Sequence, residues 1–107
     1  MSKKRLPNQT VSLKSINYVD RHAEYAIAVR KEFWGTGIAK DATEAIIDYG
    51  FKKLNLNKIY LNVLATNERA IKFYQKIGFE FEGTFKKHLF IDGEYVDLNW
   101  YCIFHSR

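Results

Sequence analysis

Between Glu32 and Ala42 the chain reads EFWGTGIAKDA, a two-glycine turn set directly against the start of a helix. Gly35 and Gly37 can adopt backbone conformations closed to other residues, and neither puts a Cβ between the main chain and a ligand. The first N–H groups of the following helix have no intrahelical partner. With the positive end of the helix dipole, they point at whatever lies there. That combination suits a diphosphate, and two readings stay open on it alone, a phosphate cradle and a plain turn. Other residues say less by themselves. Tyr74 shares helical spacing with Ala70, Ile71 and Ile77, which reads as core. Glu24 reads as a strand residue facing solvent or paired with Arg21. His22, His88 and His105 lack the spacing of a metal site, so no metal is expected. Cys102, the single cysteine, falls in an apolar alternating run and reads as a buried strand residue rather than a nucleophile.

The elements that must position these residues follow from periodicity. Residues 10–16 (TVSLKSI) alternate apolar and polar side chains, as a half-buried strand does. Asn17 to His22 has turn chemistry, and 23–29 (AEYAIAV) reads as the second strand of a hairpin. From Ile38 the spacing becomes helical through Ala42, Ala45, Ile46 and Tyr49, ending near Leu54 and Asn55. Residues 58–64 (KIYLNVL) return to period two. Asn67 is placed to cap a second helix, and Gly78 to end it in a left-handed conformation. Two long aromatic-rich strands, 79–91 and 94–104, flank Asp92-Gly93, a strong hairpin signal. The order ββαβαββ predicts an α/β fold, a mixed sheet with helices on its faces. Such sheets bind ligands beyond the carboxyl ends of parallel strands. There the end of the strand at Val29, the Trp34 to Ala39 turn and the Ala65-Thr66-Asn67 turn can meet one ligand.

Composition sets the outer bounds. At 107 residues, 47% hydrophobic and 16% aromatic, the chain reads as one globular domain over 10–107 behind a basic tail at 1–9. No apolar run approaches the roughly 20 residues that span a bilayer, and Met1 to Arg5 is not followed by a signal-like apolar stretch. A cytoplasmic location is the default expectation. The net charge of +5 is dispersed apart from Lys3-Lys4-Arg5 and Lys86-Lys87-His88. It reads as a solvated surface able to attract an anionic cofactor.

The same residues resemble the GNAT superfamily of acetyl-CoA-dependent N-acetyltransferases. Its pyrophosphate motif, Arg/Gln-x-x-Gly-x-Gly/Ala, is met at Gly37 and Ala39, with Trp34 at the first position. The branch of ribosomal-protein N-terminal and spermidine acetyltransferases is the most similar. The likeness continues through Asp48-Tyr49-Gly50-Phe51, Leu54-Asn55-Leu56-Asn57-Lys58, Asn67-Glu68-Arg69-Ala70-Ile71-Lys72-Phe73-Tyr74, Gly78-Phe79-Glu80-Phe81-Glu82-Gly83 and Asp92-Gly93-Glu94-Tyr95.

The resemblance implies that Ile27, Ala28 and Val29 line the strand beside the pantetheine arm and acetyl group of acetyl-CoA. It implies that Trp34, Gly35, Thr36, Gly37, Ile38, Ala39 and Lys40 cradle the pyrophosphate. Asn67 would hydrogen-bond the pantetheine arm, with Ala70, Phe73 and Lys76 nearby, and Tyr74 would donate a proton to the departing sulfur. Glu24 is the candidate acceptor for the proton of the incoming ammonium. The resemblance further implies a strand, two helices and another strand ahead of Thr10, for which nine residues leave no room. The chain would then be the C-terminal portion of the family fold. Its 10–16 strand would be an open sheet edge, and a second copy is expected to complete it. Three functions compete: an N-acetyltransferase acting on a primary amine such as a polyamine or a protein N-terminus, an acetyl-CoA binder with little turnover, and a basic ribosome- or nucleic-acid-associated module. The motif favours the first two.

Overall fold

Alternation of small or apolar residues with polar ones builds the first antiparallel hairpin, β2 (Gln9–Asn17) with β3 (His22–Val29). Its turn is tied by Asn17, whose Oδ1 accepts from the N–H groups of Val19 and Asp20 at 3.0 and 2.8 Å. The computed structural model describes residues 3–6, 9–29 and 35–106, which fall into two units, Met1–Ile59 with Phe104–Arg107, and Tyr60–Ile103.

In the first unit the strands run in the order β1-β2-β3. Strand β1 (Lys3–Leu6) departs from the expected basic tail: it pairs antiparallel with β2 from Lys3↔Ser12 to Leu6↔Gln9. The open edge expected at residues 10–16 is therefore covered along its first half. Backbone pairing uses N–H and C=O groups that every such residue carries, so a charged segment can supply it. Val11, Leu13, Ala23 and Tyr25 form the buried face of the hairpin.

Helix α1 (Ile38–Lys52) packs on β2. Its buried stripe is Ala39, Ala42, Thr43, Ile46, Ile47, Gly50 and Phe51, one residue round from the expected stripe, and Ile38 is left 41% exposed. Thr43 accounts for the shift, because its hydroxyl shares a buried 2.6 Å hydrogen bond with the Tyr25 hydroxyl and so joins the inner face. Gly50 fits tightly: a Cβ there would lie 2.9 Å from Leu13 Cδ1 and 3.1 Å from Ile59 Cδ1.

In the second unit β4 (Lys58–Leu64), β6 (Glu94–Phe104) and β5 (Glu80–Ile91) lie in the order β4-β6-β5. Strand β4 alternates as expected, with Ile59, Leu61 and Val63 buried. Helix α2 (Glu68–Ile77) starts on Asn67 and stops at Gly78, whose N–H donates to the carbonyls of Tyr74 and Gln75 and whose φ of 123° turns the following chain away from the helix. The β5–β6 hairpin turns on Asp92 and Gly93, both at positive φ. Cys102 is buried on β6, as its surroundings predict.

Candidate functional site

The glycine turn belongs to the first unit. Gly35 and Gly37 have φ of 86° and 91°, and a Cβ added at either would meet nothing within 4 Å. Both therefore present bare main chain to open space in a conformation that L side chains avoid. Gly37 caps α1 with no side-chain hydrogen bond, and the first helical bond runs from the Asp41 N–H to the Gly37 carbonyl at 3.0 Å. The N–H groups of Ala39 and Lys40 lie upstream of that ladder, at the positive end of the helix dipole. Ala39 turns its methyl into the core, and Lys40 reaches Glu44 at 3.9 Å on the exposed face. Any contribution of Ala39 to a ligand is thus through its backbone. Thr36 Oγ1 accepts weakly from the Ile38 N–H at 3.4 Å. Trp34 lies outside the described residues.

Strand β3 ends beside this turn in sequence. Ile27 pairs with Val11, Ala28 with Thr10 and Val29 with Gln9; Ile27 is half-buried and Ala28 exposed. Glu24, three pairs inward from Ile27, faces Lys14 with its carboxylate 4.0 Å from the ammonium and its side chain 20% exposed. Arg21, the ion-pair partner suggested by the sequence, instead donates to Asn55, from Nε to the carbonyl at 2.8 Å and from Nη2 to Oδ1 at 3.0 Å.

The second unit holds the other candidates along α2. Asn67 Oδ1 accepts from the Ala70 N–H at 3.2 Å, which commits the oxygen to capping and leaves the amide nitrogen as the group able to donate to a ligand. Ala70 is buried, Phe73 half-buried and Lys76 exposed. Tyr74 is only 7% exposed, edge-on to Phe73 and Phe79 with ring centroids 5.6 and 5.9 Å away. Burial pushes its hydroxyl up from 10.0 to about 12. The phenol is protonated at physiological pH, as an ordinary tyrosine is, and burial widens that margin.

Sequence reasoning passed over one feature of this unit. The described residues form a pocket of about 280 Å³ lined by Glu82, Gly83, Phe85 and Trp100. One aromatic side chain on each strand of the hairpin, Phe85 and Trp100, with Gly83 between them and open space, was the available signal. Among the described residues no group of three His, Cys, Asp or Glu side chains is arranged to hold a metal ion. No helix among them is long and apolar enough to cross a membrane.

A bare glycine cap before a helix and a buried tyrosine on a second, asparagine-capped helix are carried by a mixed α/β fold, and residues 9–100 match the acetyltransferase (GNAT) domain family. The chain belongs to that family. It is 45% identical over 97 residues to a spermidine N(1)-acetyltransferase of Escherichia coli, a match covering 91% of this chain and 52% of the relative. A putative ribosomal N-acetyltransferase of Bacillus subtilis is 33% identical over 93 residues, covering 87% and 51%. The dodecameric structure of spermidine N-acetyltransferase from Vibrio cholerae superposes with a TM-score of 0.82 at 38% identity, covering 90% of this chain and 56% of that one. The chain thus spans about half the length of the relatives it matches.

Proposed function

We infer that this chain is the cofactor-binding and proton-donating portion of an acetyl-CoA-dependent N-acetyltransferase whose acceptor is a primary amine. The observation that carries this reading is the match of residues 9–100 to the acetyltransferase (GNAT) domain family together with an open glycine cradle at the start of α1. Acetyl-CoA supplies the thioester carbonyl that the amine attacks and the thiolate that departs. Backbone N–H groups from Gly35 to Lys40 hold its pyrophosphate, and the β3 backbone at Ile27, Ala28 and Val29 aligns the pantetheine arm and polarises the carbonyl oxygen. Asn67 donates from its amide nitrogen to the same arm, with Ala70, Phe73 and Lys76 along the helix beside it. Tyr74 gives its proton to the sulfur. Glu24 takes the proton released by the ammonium, directly or through water.

Likeness to spermidine acetyltransferases favours an aliphatic polyamine as the acceptor, and likeness to the ribosomal enzyme keeps a protein N-terminus as the second choice. The dodecameric relative supports self-association of the functional protein, for which the exposed β5–β6 hairpin and the uncovered half of β2 are the candidate surfaces. The cytoplasm is the compartment expected for such a reaction.

The test is calorimetric titration with acetyl-CoA followed by an assay of CoA release with a panel of amines. Saturable acetyl-CoA binding with amine-dependent release supports the reading. Binding without release would make the chain a binder of acetyl-CoA, and absence of binding would remove the reading.

A further inference from the structure

We propose that the Tyr25 and Thr43 hydroxyls form a positioning pair: their hydrogen bond sets the height and rotation of α1 on β3, and so the spacing between the glycine cradle and the β3 backbone at Ile27 and Ala28. The proposal rests on the reading of those two stretches as contacts of one acetyl-CoA molecule. All of the residues involved belong to the first unit.

Thr43 is an exception in the core. Among the described residues the buried side chains are otherwise apolar, apart from tyrosines and Cys102, and Thr43 is fully buried on α1. A hydroxyl is costly to bury unless it is bonded. Valine has nearly the same shape and carries none of that cost, so packing alone does not call for threonine here. The bond that Thr43 makes is short, 2.6 Å to the hydroxyl of Tyr25, a residue only 3% exposed. What the pair adds over valine and phenylalanine is direction. Apolar contact is non-directional, whereas two hydroxyls bond only over a narrow range of distance and angle. The buried stripe of α1 records that constraint, since it includes Thr43 and leaves Ile38 outside.

Regular secondary structure ties each hydroxyl to one of the two stretches. Along α1, Thr43 is six residues past Gly37, about 9 Å at about 1.5 Å per residue. The helical ladder between them starts at the bond from the Asp41 N–H to the Gly37 carbonyl, so no loop intervenes to absorb a movement. Along β3, Tyr25 is two residues before Ile27, about 7 Å away and on the same face. Tyr25 pairs with Leu13 and Ile27 with Val11 in an unbroken stretch of register. The bond between the hydroxyls therefore closes a frame whose other two sides are a helix and a paired strand. A ligand touching both stretches feels a change in their spacing. One that touches the cradle alone does not.

The experiment compares acetyl-CoA with ADP, which carries a diphosphate but no pantetheine arm, as ligands of the intact chain. Binding is followed by the Gly35 and Gly37 amide signals in proton–nitrogen correlation spectra, and stability by urea unfolding. Removing both hydroxyls leaves side chains of nearly the same shape, a change that can be nearly neutral for stability. In the double variant Tyr25→Phe with Thr43→Val, acetyl-CoA should bind at least about fivefold more weakly, with ADP affinity within about twofold of the parent and the urea midpoint little changed. Thr43→Ser keeps a hydroxyl and should bind both ligands as the parent does. Residual dipolar couplings of the ligand-free chain should show the angle between α1 and the β2–β3 hairpin altered in the double variant and parental in Thr43→Ser. Parental acetyl-CoA affinity in the double variant would overturn the proposal, as would equal weakening of both ligands or an unaltered angle. A parent chain that binds neither ligand overturns the acetyltransferase reading and this proposal with it, whereas binding that ignores the hydroxyls overturns this proposal alone. If the double variant does not fold, Tyr25→Phe, which removes one oxygen, carries the same decision.

Discussion

The glycine turn before α1 and the tyrosine on α2 work by opposite means. At Gly35 and Gly37 the functional surface is exposed main chain, and what matters is that side chains are missing. At Tyr74 it is one hydroxyl on a ring held almost wholly in the interior. In the proposed function, the first would bind by geometry and partial charges that no substitution at neighbouring positions removes. The second would act through a single atom whose proton affinity is raised by burial. A backbone site should fail only when something is added to it, whereas the tyrosine site should fail when one oxygen is taken away.

The largest expected effect tests the second half of that contrast. Tyr74→Phe keeps the ring against Phe73 and Phe79 and removes only the proton donor, so turnover with a good amine acceptor should fall by roughly 10² to 10⁴. Acetyl-CoA affinity should change little. Rates within threefold of the parent would make Tyr74 a packing residue.

Gly37→Glu tests the first half. It adds a side chain at positive φ and a negative charge beside the diphosphate. Acetyl-CoA affinity measured by calorimetry should fall more than tenfold, beyond about 1.4 kcal/mol. Unchanged affinity in a variant with parental circular dichroism would dissolve the contrast.

A third measurement sharpens it through pH. The unfolded Tyr74 phenol ionises near 10, whereas the folded one keeps its proton until about 12. Between those values the unfolded chain binds fewer protons than the folded chain, so stability declines as pH rises, by up to about 1.4 kcal/mol per unit. This contribution is whole below pH 10 and is lost as pH passes through 12. Urea unfolding at several pH values across that window should show a steeper decline for the parent than for Tyr74→Phe. Parallel curves would mean that burial does not hold the proton.

The smallest expected effect concerns Asn67, which combines both strategies. Asn67→Ala removes the cap on Ala70 and should cost about 1 kcal/mol of stability. Asn67→Ser restores a capping oxygen but not the amide nitrogen. It should recover stability in urea unfolding while acetyl-CoA affinity stays reduced. Recovery of both would confine Asn67 to capping.

Much of this arrangement was legible in the chain because its signals are local. Asn67 and Gly78 bound α2 where the sequence puts them, since a cap needs only its own few residues. Asp92-Gly93 likewise sets the β5–β6 register through Ile91↔Glu94. The failures involve distant partners. Lys3 to Leu6 carries no strand pattern of its own, and pairing with β2 is what makes it one. The stripe of α1 shifts because of Tyr25, eighteen residues before Thr43. Glu24 meets Lys14 through hairpin register rather than Arg21 through sequence proximity. The Glu82 to Trp100 pocket depends on a bulge, and a one-residue irregularity leaves no trace in apolar alternation. In the glycine turn both the residues and the backbone demand are local, so its positive-φ conformation could be read directly.

Gly50 gives α1 a mechanical character. A Cβ there would lie 2.9 and 3.1 Å from the side-chain ends of Leu13 and Ile59, which would have to shift to admit a methyl group. Gly50 therefore serves as a fulcrum, and the glycine turn sits thirteen residues away at the far end of the arm, about 20 Å at 1.5 Å per residue. A tilt of about 3° at the fulcrum would swing the cradle by about 1 Å over that length. A displacement of that size can cost about a hundredfold in a reaction that depends on alignment. One hydrogen atom at Gly50, where any other residue brings a carbon, would thus bear on the aim of the proposed cradle.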